Sequence, residues 1–474
     1  MAVQRDSESQ NLHDLDLAPV NKFHRAVTVL SGMGVFLEGY DFTNIASALI
    51  FLVPYFKLNA AQISLLSVST YIGTFIGAWS IGYLADRLGR KYMYMWDMVF
   101  YGLFALLSGL AINYTMLVVS RVGLGLAIGA DQAISFTIIA EFAPSHARGR
   151  LNASTWVMWT VASLLTYAIS YLLNPVFGQE TWRVLFLLSI LPVIIVIIGR
   201  HALPETPRWL MARGRTEEAN RAVAMAIGTA SQHATPVGAQ VVQTSPTRRF
   251  ARFGDLFRTA DQTRRTLYIV FMWFCITVNT YGIGYFTPFI FKTLGFTAAN
   301  SLLGGMIVAV FAVVGSVIMY LSVDRIGRKT LAVLGFGLLA VVDFVIALIA
   351  HSLVFDVLVV LFSVFQLAAW IGPAGLVGVV APEVFPTEIR SLGTGFAAAM
   401  GRLGSIVGIL ILPFLLKSVG LQGTMFVFFA DAFIAFIAML VFGRETKGKS
   451  LEALFDDRAK TSPSPNVGMQ EVGQ

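Results

Sequence analysis

Apolar residues arrive in blocks of 18 or more along most of this chain, and that spacing limits the fold before any single residue is weighed. A helix needs about 20 such residues to cross the ~30 Å hydrocarbon core of a bilayer. Inside that core only helices and closed barrels satisfy their own backbone. Composition agrees: charged residues are 13% of the 474, about half the ~25% of soluble globular proteins. With 56% hydrophobic residues, 37 Phe and a mean hydropathy of +0.72, too little polar surface is left to coat a soluble particle. A soluble enzyme, a disordered chain, a coiled coil and a secreted disulfide scaffold are excluded.

The runs predict spans near 25–53, 62–85, 92–112, 115–140, 151–174 and 182–200, then 266–291, 299–322, 330–350, 354–380, 391–416 and 423–443. Gly123, Gly125 and Gly129 in the fourth are expected where helices approach closely. With both termini placed in the cytoplasm, 28 of the 34 Lys and Arg lie in cytoplasmic segments. Only Lys57, Arg183, Lys292 and Lys417 fall in outer loops, while Arg121 and Arg402 lie within spans. This bias supports cytoplasmic termini and explains the net charge of +7 without a nucleic-acid partner. No signal-peptide pattern precedes the first span, so no removable leader is expected. The single Cys275 offers neither a disulfide nor a thiolate metal cluster. Asn113-Tyr114-Thr115 matches a glycosylation sequon in a very short outer loop and is read as chance.

Three motifs repeat at a common displacement. Asp86-Arg87-Leu-Gly89-Arg90-Lys91 recurs as Asp324-Arg325-Ile-Gly327-Arg328-Lys329, Glu141-Phe-Ala-Pro144-…-Arg148 as Glu383-Val-Phe-Pro386-…-Arg390, and Glu205-Thr206 as Glu445-Thr446. The repeat predicts a duplicated six-span unit: a tail 1–24, a bundle 25–200, a linker 201–265, a second bundle 266–443 and a tail 444–474. Two parallel repeats around a midplane cavity are one of the known solutions for secondary transport.

These residues resemble the major facilitator superfamily, in its sugar-porter and metabolite:proton symporter branches. The motifs above carry the resemblance, together with Arg121-x-Gly123-x-Gly125 in span four and Pro204-Glu205-Thr206-Pro207-Arg208-Trp209-Leu210 after span six. It implies an all-α membrane protein of twelve transmembrane helices in two six-helix bundles that rock about a central site. It further implies that Asp86, Arg87, Arg90, Glu141, Arg148 and Glu205, with Asp324, Arg325, Arg328, Glu383, Arg390 and Glu445, form a cytoplasmic latch that holds the outward-facing state. Asp86 and Asp324 are expected to accept from an Arg or from a helix N-terminus.

An ionisable residue within a span costs ~2.5–3.5 kcal/mol on insertion scales, so each is a functional candidate. Glu38 and Asp41 are three residues apart in span one and share roughly one helical face. Both are costly to ionise at such spacing, so at least one is expected to take up and release a proton. Gly39-Tyr40-Asp41 resembles the span-one motif of proton-coupled sugar porters, where the Asp accepts the proton, and Arg121 matches its partner. A permanently satisfied ion pair is the alternative. The sugar-porter pattern has no carboxylate at the place of Glu38; other metabolite symporters carry an acid there, and that resemblance implies that Glu38 shares the proton.

Asp131, in Gly129-Ala130-Asp131-Gln132, looks like the Gly-Ala-Asp-Tyr run of phosphate and metabolite symporters, with Gln132 in place of Tyr. A coupling or substrate role and a packing role stay open for it. Arg402 is expected either to anchor an anion or to pair with Asp431, Asp343 or an acid of another helix. Asp97, Asp343 and Asp431 are expected in interhelical pairs.

Trp156, Trp159, Tyr281, Tyr285 and Trp370, with Asn279 and Gln366, are candidates to line the cavity, the alternative for the aromatics being the bilayer interface. Cys275 and Ile276 stand where sugar porters carry a Gln pair, Trp156 where they carry a span-five Gln, and Leu376 where they carry a second span-ten Trp. Fewer amides and two membrane arginines favour an organic anion over a hexose. The expected function is proton-coupled import of a small organic metabolite, with a sugar or polyol symporter and a proton-coupled exporter as alternatives. The six His show no metal-ligand spacing and no Walker run is present, so neither enzyme nor ATP-driven pump is expected, nor any cofactor or metal. A transporter-like sensor is disfavoured by the short tail after 452. The partners expected are a small molecule, protons and the lipid bilayer, for a monomer in a prokaryotic plasma membrane.

Overall fold

The structure is a computed structural model and describes residues 18–88, 90–144, 148–228, 253–350, 354–386 and 389–447. The first half comprises α1 (Lys22–Phe56), α2 (Ala60–Leu88), α3 (Arg90–Gly109), α4 (Tyr114–Phe142) and α5 (Arg148–Phe177), then α6 (Thr181–Leu188) and α7 (Ile190–His201), which follow one another as a single span. After it come α8 (Pro207–Ala212) and α9 (Thr216–Ile227). The second half comprises α10 (Ala260–Asn279), α11 (Thr287–Thr293), α12 (Ala298–Ile326), α13 (Arg328–Ile349), α14 (Phe355–Ile371), α15 (Pro373–Val384), α16 (Arg390–Ser418) and α17 (Gly420–Phe442). Ten stretches among the described residues are long and apolar enough to cross a membrane. One of them, Ser154–His201, holds two spans. The twelfth is α3, whose Arg90, Lys91 and Asp97 lower its hydropathy.

Helix ends follow local chemistry. At the start of α1, Asn21 Oδ1 accepts from the His24 amide (3.1 Å) and His24 Nδ1 accepts from the Asn21 amide (3.2 Å), a reciprocal cap. Asn113, the sequon residue, caps α4 by accepting from the Met116 amide at 2.8 Å. Arg183 donates to the carbonyls of Gly109 and Ala111, satisfying acceptors orphaned at the end of α3.

Glycines bring α2 and α4 together. A Cβ on Gly73 would lie 2.1 Å from the Val122 carbonyl oxygen, and one on Gly125 would lie 2.1 Å from that of Thr70. Only a residue without a side chain fits either place.

Two spans of the second half are broken. α10 passes into a π-turn, Thr280–Gly284, before α11, and span ten changes direction at Gly372-Pro373 with Pro373 at the start of α15. Broken backbone at membrane depth is tolerated where it is buried in protein or lines a cavity. Here it lines the cavity described next.

Candidate substrate and proton site

Between the halves lies a chamber of about 30 Å³, room for a water or two. Its wall is Trp156 of α5; Trp273, Ile276 and Thr277 of α10; Thr280, Tyr281 and Tyr285 around the π-turn; and Trp370, Ala374 and Val377 from the break in span ten. Trp159 packs behind, its ring 4.8 Å from Tyr285 and 5.7 Å from Trp370. The aromatic candidates therefore gather in the protein interior. Asn279 does not face the chamber: its amide turns away and donates to Asp431 at 2.6 Å. Gln366 donates to the Gly284 carbonyl at 3.2 Å and so supports the π-turn. The indole N–H groups of Trp159 and Trp370, the Thr280 hydroxyl and the Gln366 carbonyl oxygen are buried with no partner among the described residues. Such groups are costly unless something bonds them.

The chamber is closed on one side. Every residue of α1 from Leu37 to Leu52 is buried. On that side the Tyr167 hydroxyl donates across the halves to the Tyr285 carbonyl at 2.8 Å, and Ser64 to that of Leu410 at 3.1 Å. Trp156, Trp273 and Ala374 of the chamber wall, by contrast, are partly exposed.

Glu38 and Asp41 meet different guanidinium groups among the described residues. Side chains three apart on a helix diverge by roughly 60°, and each finds its own guanidinium. Asp41 takes two parallel bonds of 2.6 Å from Arg121 of α4, with both side chains buried, at 1% and 0% exposure. Phe186 covers this pair, its ring centre 5.0 Å from the guanidinium carbon. Glu38 points instead to the other half, where Arg402 of α16 donates to it at 2.6 Å. Of the partners considered for Arg402, the structure takes the acid of another helix, not Asp431 or Asp343.

Asp131 stands apart from both pairs. It lies 2.5 Å from Arg200 of α7, which also meets Asp97 at 3.3 Å and stacks over Tyr94. Gly34 makes the room: a Cβ there would fall 1.6 Å from an Asp131 oxygen. Arg200 reads in the sequence as the first of the linker's positive charges, but it is fully buried. Its signal was the acid on each of two neighbouring spans with no cation nearby. The side chain of Gln132 lies outside the described residues. In the second half, Asp343 is buried with no partner for either oxygen among the described residues.

At the face carrying α8 and α9, the side chains of Asp86, Arg87, Arg90, Glu141, Arg148, Asp324 and Arg390 lie outside the described residues. Among those described, the repeat is visible in bonds. Glu205 accepts from the Lys91 amide at 3.0 Å, and Glu445 accepts from the Arg328 and Lys329 amides at 2.9 and 3.1 Å, so each caps the helix that follows the short loop. Gly327 turns that loop at φ +105°, where a Cβ would meet Glu445 at 2.4 Å. Arg328 also reaches Glu383 through two bonds of 3.2 and 3.0 Å. Arg325 is exposed. Partial burial raises the Glu445 pKa, but the amides of Lys447, Arg328, Lys329 and Thr446 outweigh it and hold the carboxyl below its ordinary range.

Residues 26–456 match the family of sugar (and other) transporters. The chain belongs to that family, a branch of the major facilitator superfamily. This transporter is 30% identical to the putative metabolite transport protein YaaU of Escherichia coli over 94% of its own length and 96% of that protein's. It is 29% identical to the niacin transporter NiaP of Acinetobacter baylyi (92% and 97% covered) and 27% to the arabinose-proton symporter of Bacillus subtilis (92% and 96%). Its fold matches the proton:xylose symporter XylE bound to 6-bromo-6-deoxy-D-glucose with a TM-score of 0.72 at 22% identity, covering 91% of this chain and 98% of that one. The twelve-helix fold and a multi-pass membrane transporter, not an enzyme, follow.

Proposed function

We propose that this transporter moves a small organic anion together with protons, the chamber opening alternately to the two sides. The observation that carries the proton reading is the Asp41–Arg121 pair, bidentate and buried within the first half. Protonating Asp41 removes the charge that holds Arg121, so proton occupancy and helix packing are linked. The distribution of positive charge supports a cytoplasmic place for α8, α9 and the termini, and the Ser64–Leu410 and Tyr167–Tyr285 contacts then close the outer side. Glu205 and the Glu383–Arg328–Glu445 network are latch parts, each bonded within its own half in this state.

The anion reading is supported by the indole N–H of Trp370 in the chamber wall, unpartnered among the described residues, by Arg402 beside Tyr281 of that wall, and by a relative named for niacin. A sugar is the second reading, favoured by the relative named as an arabinose-proton symporter and by the unpartnered Thr280 hydroxyl and Gln366 carbonyl. Uptake into proteoliposomes under an imposed pH gradient, with nicotinate, benzoate, L-arabinose and D-xylose, tests both. Asp41→Asn is expected to abolish uphill accumulation while leaving counterflow of the same solute measurable. Uphill uptake unchanged in that variant removes Asp41 from the coupling.

A further inference from the structure

We propose that Glu38 and Arg402 form an exchangeable ion pair, in which Arg402 receives the carboxylate of the cargo as Glu38 receives the proton. This deepens the anion-symport reading and rests on it.

The pair joins the two halves beside the chamber: Glu38 belongs to α1, Arg402 to α16, and their side chains meet at 2.6 Å. Glu38 is 1% exposed and Arg402 14%, so the guanidinium is the partner that an incoming solute reaches first. Tyr281, a chamber residue, stands against Tyr71, and the Phe42 ring lies 5.8 Å from the guanidinium carbon. Among the described residues, the charged and titratable groups around Glu38 include Arg402 of α16, Asp131 of α4, Tyr71 of α2 and Tyr281 and Tyr285 around the π-turn. Asp131 is already engaged by Arg200. Arg402 is the cation that bonds Glu38 among the described residues.

Charge conservation supplies the coupling. The pair formed by the Glu38 carboxylate and the Arg402 guanidinium is neutral. A proton on the Glu38 carboxylate together with an anion on Arg402 leaves it neutral again, with the guanidinium bonds passing from Glu38 to the cargo. A proton alone leaves an uncompensated positive charge in the middle of the membrane, and an anion alone a negative one; both are costly. Proton and anion thus travel together, one for one at this pair. The Asp41–Arg121 pair differs because both of its members belong to the first half, so it does not bridge the chamber.

The test is calorimetric binding of nicotinate, benzoate and D-gluconate to the purified full chain, with D-xylose as the neutral control. Between about pH 5.5 and 7.5 the wild-type affinity for a bound acid is expected to rise roughly tenfold per unit fall in pH, because one proton enters with each anion. Glu38→Gln is expected to bind the acid with an affinity that is flat across this range. Glu38→Asp keeps the slope. Arg402→Gln loses the acid, while Arg402→Lys, which keeps the charge, binds it more weakly with the slope intact. A wild-type slope in Glu38→Gln, wild-type affinity in Arg402→Gln, or no binding of any of the three acids overturns the exchange. If D-xylose alone binds and accumulates under a pH gradient, the exchange fails and proton symport stands. If no solute of the panel moves, the reading beneath it fails as well.

Discussion

Arg200 closes an apolar run, Ile190–His201, yet its guanidinium turns into the first half to meet two carboxylates on two other helices. Its Nη1 also donates to the Tyr94 carbonyl at 3.1 Å. Removing one member of a buried charge group is far more damaging than removing the whole group, because the remaining charges lose their compensation. Arg200→Met is therefore expected to lose about 3–5 kcal/mol of stability, seen as a large drop in melting temperature or failure to recover monodisperse protein. Adding Asp97→Asn and Asp131→Asn is expected to restore most of it. The triple variant also separates packing from coupling at Asp131: pH-driven uptake by it leaves Asp131 a structural residue, and its loss in a folded triple variant returns Asp131 to the proton path. Neither Arg200 nor Glu38–Arg402 was legible as a pair in the sequence. The residues of the second pair stand 364 apart, and an arginine at the end of an apolar run looks the same whether it faces water or turns inward.

At the level of helices, the ends are where charge was placed to a purpose. Glu445 sits at the start of α13 and accepts from four backbone amides. Because its folded pKa lies below the unfolded value, its stabilisation is present above the ordinary carboxylate range and is lost as pH falls through the folded pKa. Glu445→Gln is expected to cost about 1 kcal/mol near neutrality, with the gap to wild type closing below about pH 4. Melting curves of the two proteins across that range check it; a gap that is constant down to acid pH assigns the role to shape, not charge. The helices themselves were legible because bilayer thickness sets a minimum run of apolar residues, and the matching acids Glu205 and Glu445 could be paired by the repeat alone. The π-turn at Thr280–Gly284 was not legible. It breaks no hydrophobic pattern, and what holds it is Gln366, more than eighty residues away in sequence. Asn279 was misplaced for a related reason: an amide in an apolar helix must find a partner, but the sequence does not say on which side.

Across the whole molecule, the contacts on the closed side are what must separate if the chamber is to open there. Ser64 at the start of α2 bonds the Leu410 carbonyl in the later part of α16, and Tyr167 bonds that of Tyr285. Both contacts connect the first half with the second, far from the face that bears α8 and α9. A chamber of about 30 Å³ does not hold an organic solute without movement of its walls, and passage between the faces requires each side to part in turn. Thiols at Ser64 and Leu410, introduced after replacing the buried Cys275 with Ala, can be joined by a short, cleavable bifunctional reagent. The joined protein is expected to lose uptake by more than tenfold and to regain it on cleavage, while solute binding from the α8–α9 side persists. Single-cysteine variants treated alike are expected to transport normally, which separates the tether from the modification. Full uptake with the tether intact would mean that these helix ends stay together throughout the cycle, and the alternating opening of two rocking halves would have to be abandoned for this chain.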